Sequence, residues 1–344
     1  MLTVYDAVDG VLVKRDAAAS ITPATVWIDL FNPTKDEDLV VEQSLSILVP
    51  TREEMSEIEA SSRLYHESSA HVMTAILLTQ SEKDKDASSA TAILSPASGL
   101  IREIGQPVAS PVTFILAAHR LVTVRYITPR AFDLYLSRAL KKDVACMSGQ
   151  AVLVGLLEAV IDRAADRVER IQLEVDQLSQ TIFSGRGGER TRTRRFDVNI
   201  REIGREGELT SRSRESLLSL DRLLTYLAHA MSERGDDKPL RARVKTASRD
   251  VQSLNDHVGY LSTKITFLLD ATLGMINNEQ NTIIKIFSVL AVALMPPTLV
   301  GTVYGMNFKH IPELEWMWGY PWALSLMVVS ALLPWLYFKR KGWL

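Results

Sequence analysis

Two patterns of apolar positions divide the chain. Over residues 1–145, short runs rich in β-branched and aromatic residues alternate with helical stretches. Thr25–Leu30, His71–Thr79, Thr91–Leu94, Val112–Leu116 and Leu121–Tyr126 are the strand candidates. Thr34, followed by Asp36, Glu37 and Asp38, opens a helix with acids in its first turn, and Thr51 followed by Glu54 reads as a capping box. These signals predict an α+β domain with a mixed or largely antiparallel sheet. From about residue 130 onward the period changes to that of helices. Ala151–Phe183 and Thr193–Arg234 are long amphipathic helices, separated by Ser184-Gly185-Arg186-Gly187-Gly188, and Gly235–Pro239 breaks the second.

After Pro239 no proline occurs until Pro296. Leu240, Val244, Ala247, Val251, Leu254, Val258, Leu261, Ile265, Leu268, Thr272 and Met275 recur by fours and threes, which is a heptad seam that asks for helical partners. The pattern runs without a stop into Ile286–Tyr304, which carries no charge and is long enough to cross a bilayer core of about 30 Å. One helix over 239–304 would be about 100 Å long at about 1.5 Å per residue. A second uncharged run, Trp316–Phe338, is also long enough to cross.

Beside the seam lies a second stripe: Thr246, Arg249, Ser253, Asp256, Tyr260, Thr263, Phe267, Asp270, Gly274, Asn277, Asn281, Ile284, Ser288, Ala291, Met295 and Thr298. It is mostly polar or small. Outside a membrane such a face is simply solvated. Inside one, Ser288, Ala291 and Thr298 gain nothing from lipid and fit a packed or wet axis. Two spans per chain cannot enclose a pore, so a lined axis requires a ring of copies.

Charge and composition narrow the class. The net charge of −2 does not favour nucleic acid. The single cysteine, Cys146, excludes a disulfide framework within the chain, and the six histidines form no metalloprotease-type set. Enzyme chemistry is therefore not expected. The first 25 residues carry no cationic stretch leading into an apolar run, so no signal peptide is predicted. Lys339-Arg340-Lys341 after the second span reads as cytoplasmic, and the loop with Lys309, Glu313 and Glu315 as outer, edged by Trp316, Trp318, Tyr320 and Trp322. Both termini are then expected on the cytoplasmic side.

Tyr304-Gly305-Met306-Asn307-Phe308 after the first span, then Ile311-Pro312-Glu313-Leu314, and a second span ending in Tyr337-Phe338-Lys339-Arg340-Lys341-Gly342-Trp343-Leu344, resemble the CorA magnesium transporters. The match is dense over 277–344 and looser before it. The resemblance implies a cytoplasmic α+β domain (1–145), a long-helix region (146–238), a stalk helix continuing into the first span (239–304), an outer loop (305–315), a second span (316–338) and a basic tail (339–344). Five such chains would form a funnel-shaped homopentamer conducting Mg²⁺, and also Co²⁺ and Ni²⁺, into the cytoplasm. It implies Gly305, Met306 and Asn307 as the selectivity filter. Thr298, Met295, Phe287, Ile284, Asn281 and Asp270 would line the pore, with Glu313 attracting cations at the mouth. Cytoplasmic Mg²⁺ held by acids between subunits would close it, with Asp250, Asp256, Asp84 and Asp86 as candidates. Two rivals remain open: a ZntB-like, proton-coupled Zn²⁺ transporter, against which Met306 argues because that branch usually has Ile there, and a non-transporting scaffold merely anchored by two helices.

Overall fold

The computed structural model describes residues 1–15, 21–67, 69–79, 108–140, 148–183, 192–234, 238–307 and 316–343. The strand expected at Thr91–Leu94, and Asp84, Asp86 and Glu313, lie outside the described residues. The described chain separates into two units, Met1–Gly185 with Arg201–Phe267, and Arg186–Ile200 with Leu268–Leu344.

The first unit contains a seven-stranded sheet. Its strands are β1 (Leu2–Val8), β2 (Val11–Arg15), β3 (Thr25–Phe31), β4 (Leu64–Glu67), β5 (Ala70–Thr79), β6 (Val108–Ala117) and β7 (Arg120–Arg125), in the order β2-β1-β3-β7-β6-β5-β4. Every pairing is antiparallel except the central one, β3 with β7, where Trp27 stands opposite Leu121 and Asp29 opposite Thr123. The short helices are α1 (Lys35–Leu45), α2 (Arg52–Met55), α3 (Ala60–Arg63) and α4 (Arg130–Ala139). The capping box expected at Thr51 with Glu54 forms, and the cap at Thr34 proves to be a second box, with Glu37.

The period-two geometry of β3 sends its residues to two different cores. Ile28 and Leu30 join Leu2, Val4, Val122 and Val124 in a cluster that also buries Val41 of α1 and Met55 of α2. Trp27 faces the other way, stacked on Tyr5 with ring centroids 4.5 Å apart, tilted against Phe132 and edge-on to Tyr135 of α4. Its indole donates to Thr123 Oγ1 at 3.0 Å. Among the described residues β5 has no strand partner on its outer side beyond Met73, which leaves the outward-pointing N–H and carbonyl of Ile76 open there. Serines of the long helix α6 (Arg192–Arg234) supply the missing bonds: Ser219 Oγ accepts from the Ile76 N–H at 2.9 Å, and Ser216 Oγ donates to the Ile76 carbonyl at 2.7 Å.

Helix α5 (Gly149–Phe183) begins against the sheet and runs on beyond it. An added Cβ at Gly149 would stand 2.4 Å from the Leu121 backbone nitrogen, so only glycine fits where this helix meets β7. Helix α7 (Lys238–Tyr304) is a single 67-residue helix, as the uninterrupted seam predicts. Within the first unit α5 and α7 lie side by side and parallel. Arg243 pairs with Glu158 at 2.6 Å, His257 bonds Gln172 at 2.9 Å, Lys264 pairs with Asp176, and Phe267 stacks on Phe183. The seam residues Val244, Ala247, Val251, Val258, Leu261 and Ile265 are buried.

The second unit holds the remainder of α7 and helix α8 (Gly319–Arg340), the element found where a span over Trp316–Phe338 is expected. Both are long and apolar enough to cross a membrane. Gly301 on α7 approaches Met327 of α8, where an added Cβ would sit 3.4 Å from the Met327 methyl group. A small residue at such a contact lets two spans come close.

Candidate ion pathway

All sixteen positions of the second stripe, from Thr246 to Thr298, are exposed in the single chain, while most of its seam neighbours are buried and Leu240, Leu254 and Met275 are half-buried. Through 281–304 the exposed side chains include large apolar ones: Ile284 at 60%, Phe287 at 67% and Met295 at 70%. An α-helix turns about 100° per residue, so Phe287 stands about 60° round from Ile284, on the flank of the stripe. Asn281 and Asp270 are also exposed, on the line that carries Ile284 and Met295.

Pro296 and Pro297 lie inside α7. Neither has an N–H, so the carbonyls of Val292 and Ala293 lose their helical donors. One turn on, Thr298 donates its hydroxyl to the Leu294 carbonyl at 2.7 Å, and Thr302 donates to the Thr298 carbonyl at 2.8 Å. With its proton spent on the helix, the Thr298 oxygen keeps lone pairs to accept hydrogen bonds on the exposed face. That is the polarity that water bound to a cation requires, because such water presents its hydrogens outward.

The helix ends at Tyr304. The Gly305 N–H still reaches the Gly301 carbonyl at 3.0 Å, and Met306 N–H reaches Val303 at 3.3 Å. A Cβ on Gly305 would press on that same Gly301 carbonyl at 3.0 Å. Glycine therefore lets the last turn close tightly and release Met306 and Asn307, both exposed, at the helix end. Asn307 offers an amide oxygen with no charge.

The regulatory candidates are less concentrated. Asp250, Asp256 and Asp270 are exposed on α7. Asp256 and Asp270 share a stripe but stand about 21 Å apart along the helix at about 1.5 Å per residue. Among the described residues no three acids, histidines or cysteines come together as a metal-binding group.

One buried carboxyl escaped the sequence reading. Glu206 on α6 is almost wholly buried beside Glu174 of α5, and Arg205 bonds it at 3.0 Å while reaching Glu174 at 3.8 Å. Burial first, and then the Glu174 carboxylate, push Glu206 up to about 7. No periodic signal marks it, because an acid on a long polar helix reads as solvated.

An α+β unit, long parallel helices and two helices long and apolar enough to cross a bilayer are the build of a membrane protein. The chain belongs to the CorA family: the model for the CorA-like Mg²⁺ transporter protein matches residues 23–340. The magnesium transport protein CorA of Escherichia coli K12 is 34% identical over 319 residues, covering 93% of this chain and 92% of that protein. Among solved structures, the complete CorA magnesium transporter of Methanocaldococcus jannaschii covers 100% of this chain and 99% of its own, with a TM-score of 0.75 at 18% identity. The cytoplasmic domain of ZntB from Vibrio parahaemolyticus covers 80% of this chain and 98% of its own, with a TM-score of 0.55 at 12% identity. These two likenesses carry the fold.

Proposed function

We propose that the protein is a homopentameric channel of the cell inner membrane that admits Mg²⁺, and also Co²⁺ and Ni²⁺, down the membrane potential. The observation that supports this most is the exposed stripe on one continuous helix, from Thr246 through Thr298, leading to Gly305-Met306-Asn307. Five copies facing one axis would cover that stripe. Asn281, Ile284, Phe287, Met295 and Thr298 would then line the path, with Asp270 near the cytoplasmic exit and five Asn307 amides at the outer mouth.

Mg²⁺ dehydrates reluctantly. A ring of neutral amide oxygens accepts hydrogen bonds from its waters without stripping them, and holds the ion weakly enough to let it leave. The threonine oxygens repeat that chemistry one level down. The apolar collar of Met295, Ile284 and Phe287 offers nothing to water and forms the gate when narrow. The driving force is electrical, about 2.3 kcal/mol per charge per 100 mV and roughly twice that for a divalent ion. Glu313 adds negative potential at the entrance. Mg²⁺ bound between subunits at Asp250 or Asp256, with Asp84 or Asp86, would hold the ring closed. Both termini lie in the cytoplasm.

The test is flux of Mg²⁺, Co²⁺ and Zn²⁺ into proteoliposomes at a set potential, with and without a proton gradient, beside Asn307→Ala. Voltage-driven Mg²⁺ flux that Asn307→Ala abolishes is the expected result. Zn²⁺ flux that needs the proton gradient would instead support the ZntB-like reading, and no flux of any ion, where a CorA control conducts, the anchored scaffold.

A further inference from the structure

A cavity of about 190 Å³ opens in the first unit where β5 leaves the sheet. It lies between Leu77–Thr79, the start of α4 and the flanks of α5 and α6. Five of its lining residues are arginines, Arg130, Arg163, Arg167, Arg170 and Arg205, against two acids, Asp166 and Glu174. Both acids are engaged. Asp166 pairs with Arg163 at 3.1 Å, and Glu174 stands 3.8 Å from Arg205, whose main partner is Glu206. Arg130, Arg167 and Arg170 have no ion pair among the described residues. Arg167 gives one hydrogen bond, to the Leu78 carbonyl at 3.0 Å, and burial and then the neighbouring Arg170 lower it to about 10.

Arg167 is half-buried with no counter-ion among the described residues, and a bound anion would offset the cost of burying its charge. The start of α4 adds to the attraction. Pro129, Arg130 and Ala131 line the cavity, and no side chain caps this helix start. The first turn leaves backbone N–H groups beside the arginines, apart from that of Phe132, which reaches the Pro129 carbonyl at 3.0 Å, and Asp133 in the same turn offsets part of the positive helix end. Below them the wall turns apolar, with Leu77, Val160, Ile171 and Leu209. Planar guanidiniums match phosphate oxygens in pairs, and the apolar wall suits a carbon body attached to the phosphate.

We propose that this cavity binds a small phosphate monoester, its phosphate among Arg130, Arg167 and Arg170 and its body against the apolar wall. The site is independent of the ion pathway and places a soluble ligand on the sheet-bearing unit.

The test is equilibrium binding of AMP and of inorganic phosphate to the full-length protein in detergent, with Mg²⁺ chelated. AMP is expected to bind with a dissociation constant in the millimolar range or tighter, and phosphate about tenfold more weakly for want of a body. Arg130 and Arg170 are exposed, so their loss leaves the fold intact. Arg130→Gln and Arg170→Gln are each expected to weaken AMP about tenfold, the loss of one charge-assisted contact. Asp166→Asn, which removes an acid from the same wall, is expected to strengthen it. Failure of AMP to bind at millimolar concentration, or binding that none of these variants changes, would overturn the proposal.

Discussion

Asp29→Ala tests how the central parallel pair of strands is held. Asp29 sits on β3 with its side chain 5% exposed. It accepts from Thr123 Oγ1 at 2.8 Å and takes both Arg125 Nε, at 3.0 Å, and Arg125 Nη2, at 2.8 Å, in a fork. Arg125, 13% exposed, has one other hydrogen bond, from Nη1 to the Ile127 carbonyl, and lies over the Phe31 and Phe132 rings. Truncating Asp29 leaves a guanidinium buried against two aromatic faces without its counter-ion, and a buried Thr123 hydroxyl without its acceptor. Breaking one side of a buried pair costs about 3–5 kcal/mol, and the slight exposure of Arg125 sets the expectation at the lower end, about 3. For a unit of this size each kcal/mol moves the unfolding midpoint by about 2–4 °C, so the midpoint falls by about 6–12 °C. The assay is thermal unfolding of the full-length protein in detergent by far-ultraviolet circular dichroism. Asp166→Ala is the control, because its pair with Arg163 is exposed on both sides and worth at most about 1 kcal/mol. If Asp29→Ala moves the midpoint no further than Asp166→Ala, the reasoning is wrong.

Glu206 gives a pH dependence with a definite sign. Its folded pKa, about 7, lies above the ordinary 4.5, so the folded state keeps a proton that the unfolded state has released between those values. The stability this proton confers is full below about 4.5 and is lost as pH rises through about 7. Glu206→Gln, which mimics the protonated form, should flatten that fall and raise the unfolding midpoint at pH 8; an unchanged profile would refute the assignment. Gly305→Ala, whose new methyl meets the Gly301 carbonyl at 3.0 Å, should lower Mg²⁺ flux through its effect on the helix end that carries Asn307, without lowering the unfolding midpoint.

The strands β3, β5, β6 and β7 were legible because β-branched and aromatic residues fill them on both faces. The hairpin of β1 and β2 was not recognised, although Asp9-Gly10 between two apolar runs is a strong hairpin signal; both residues take positive φ, 51° and 79°, as a two-residue turn requires. The order of the sheet was beyond reach, since the pairing of Asp29 with Thr123 joins positions far apart in sequence and nothing local encodes it. The 67-residue α7 was readable because its seam keeps phase from Leu240 to Met275 and leads without a break into the uncharged run that ends at Tyr304. The stripe beside it follows the same spacing, and all of its positions are exposed in the single chain. The arginine cavity was only half visible. Arg163, Arg167 and Arg170 follow helical spacing on α5, but Arg130 and Arg205 reach the same place from other elements, and only the folded chain brings them together.

On the proposed function, the stripe on α7 lines a conducting axis shared between copies. The most direct measurement is voltage-driven Mg²⁺ flux before and after a charged thiol reagent, in a Cys146→Ser background, comparing Thr298→Cys on the stripe with Ile286→Cys, which is 50% exposed and about 160° from the stripe's centre at about 100° per residue. Block at Thr298→Cys and undiminished flux at Ile286→Cys are expected. Full modification of Thr298→Cys with no loss of flux, or equal block at both positions, would contradict it.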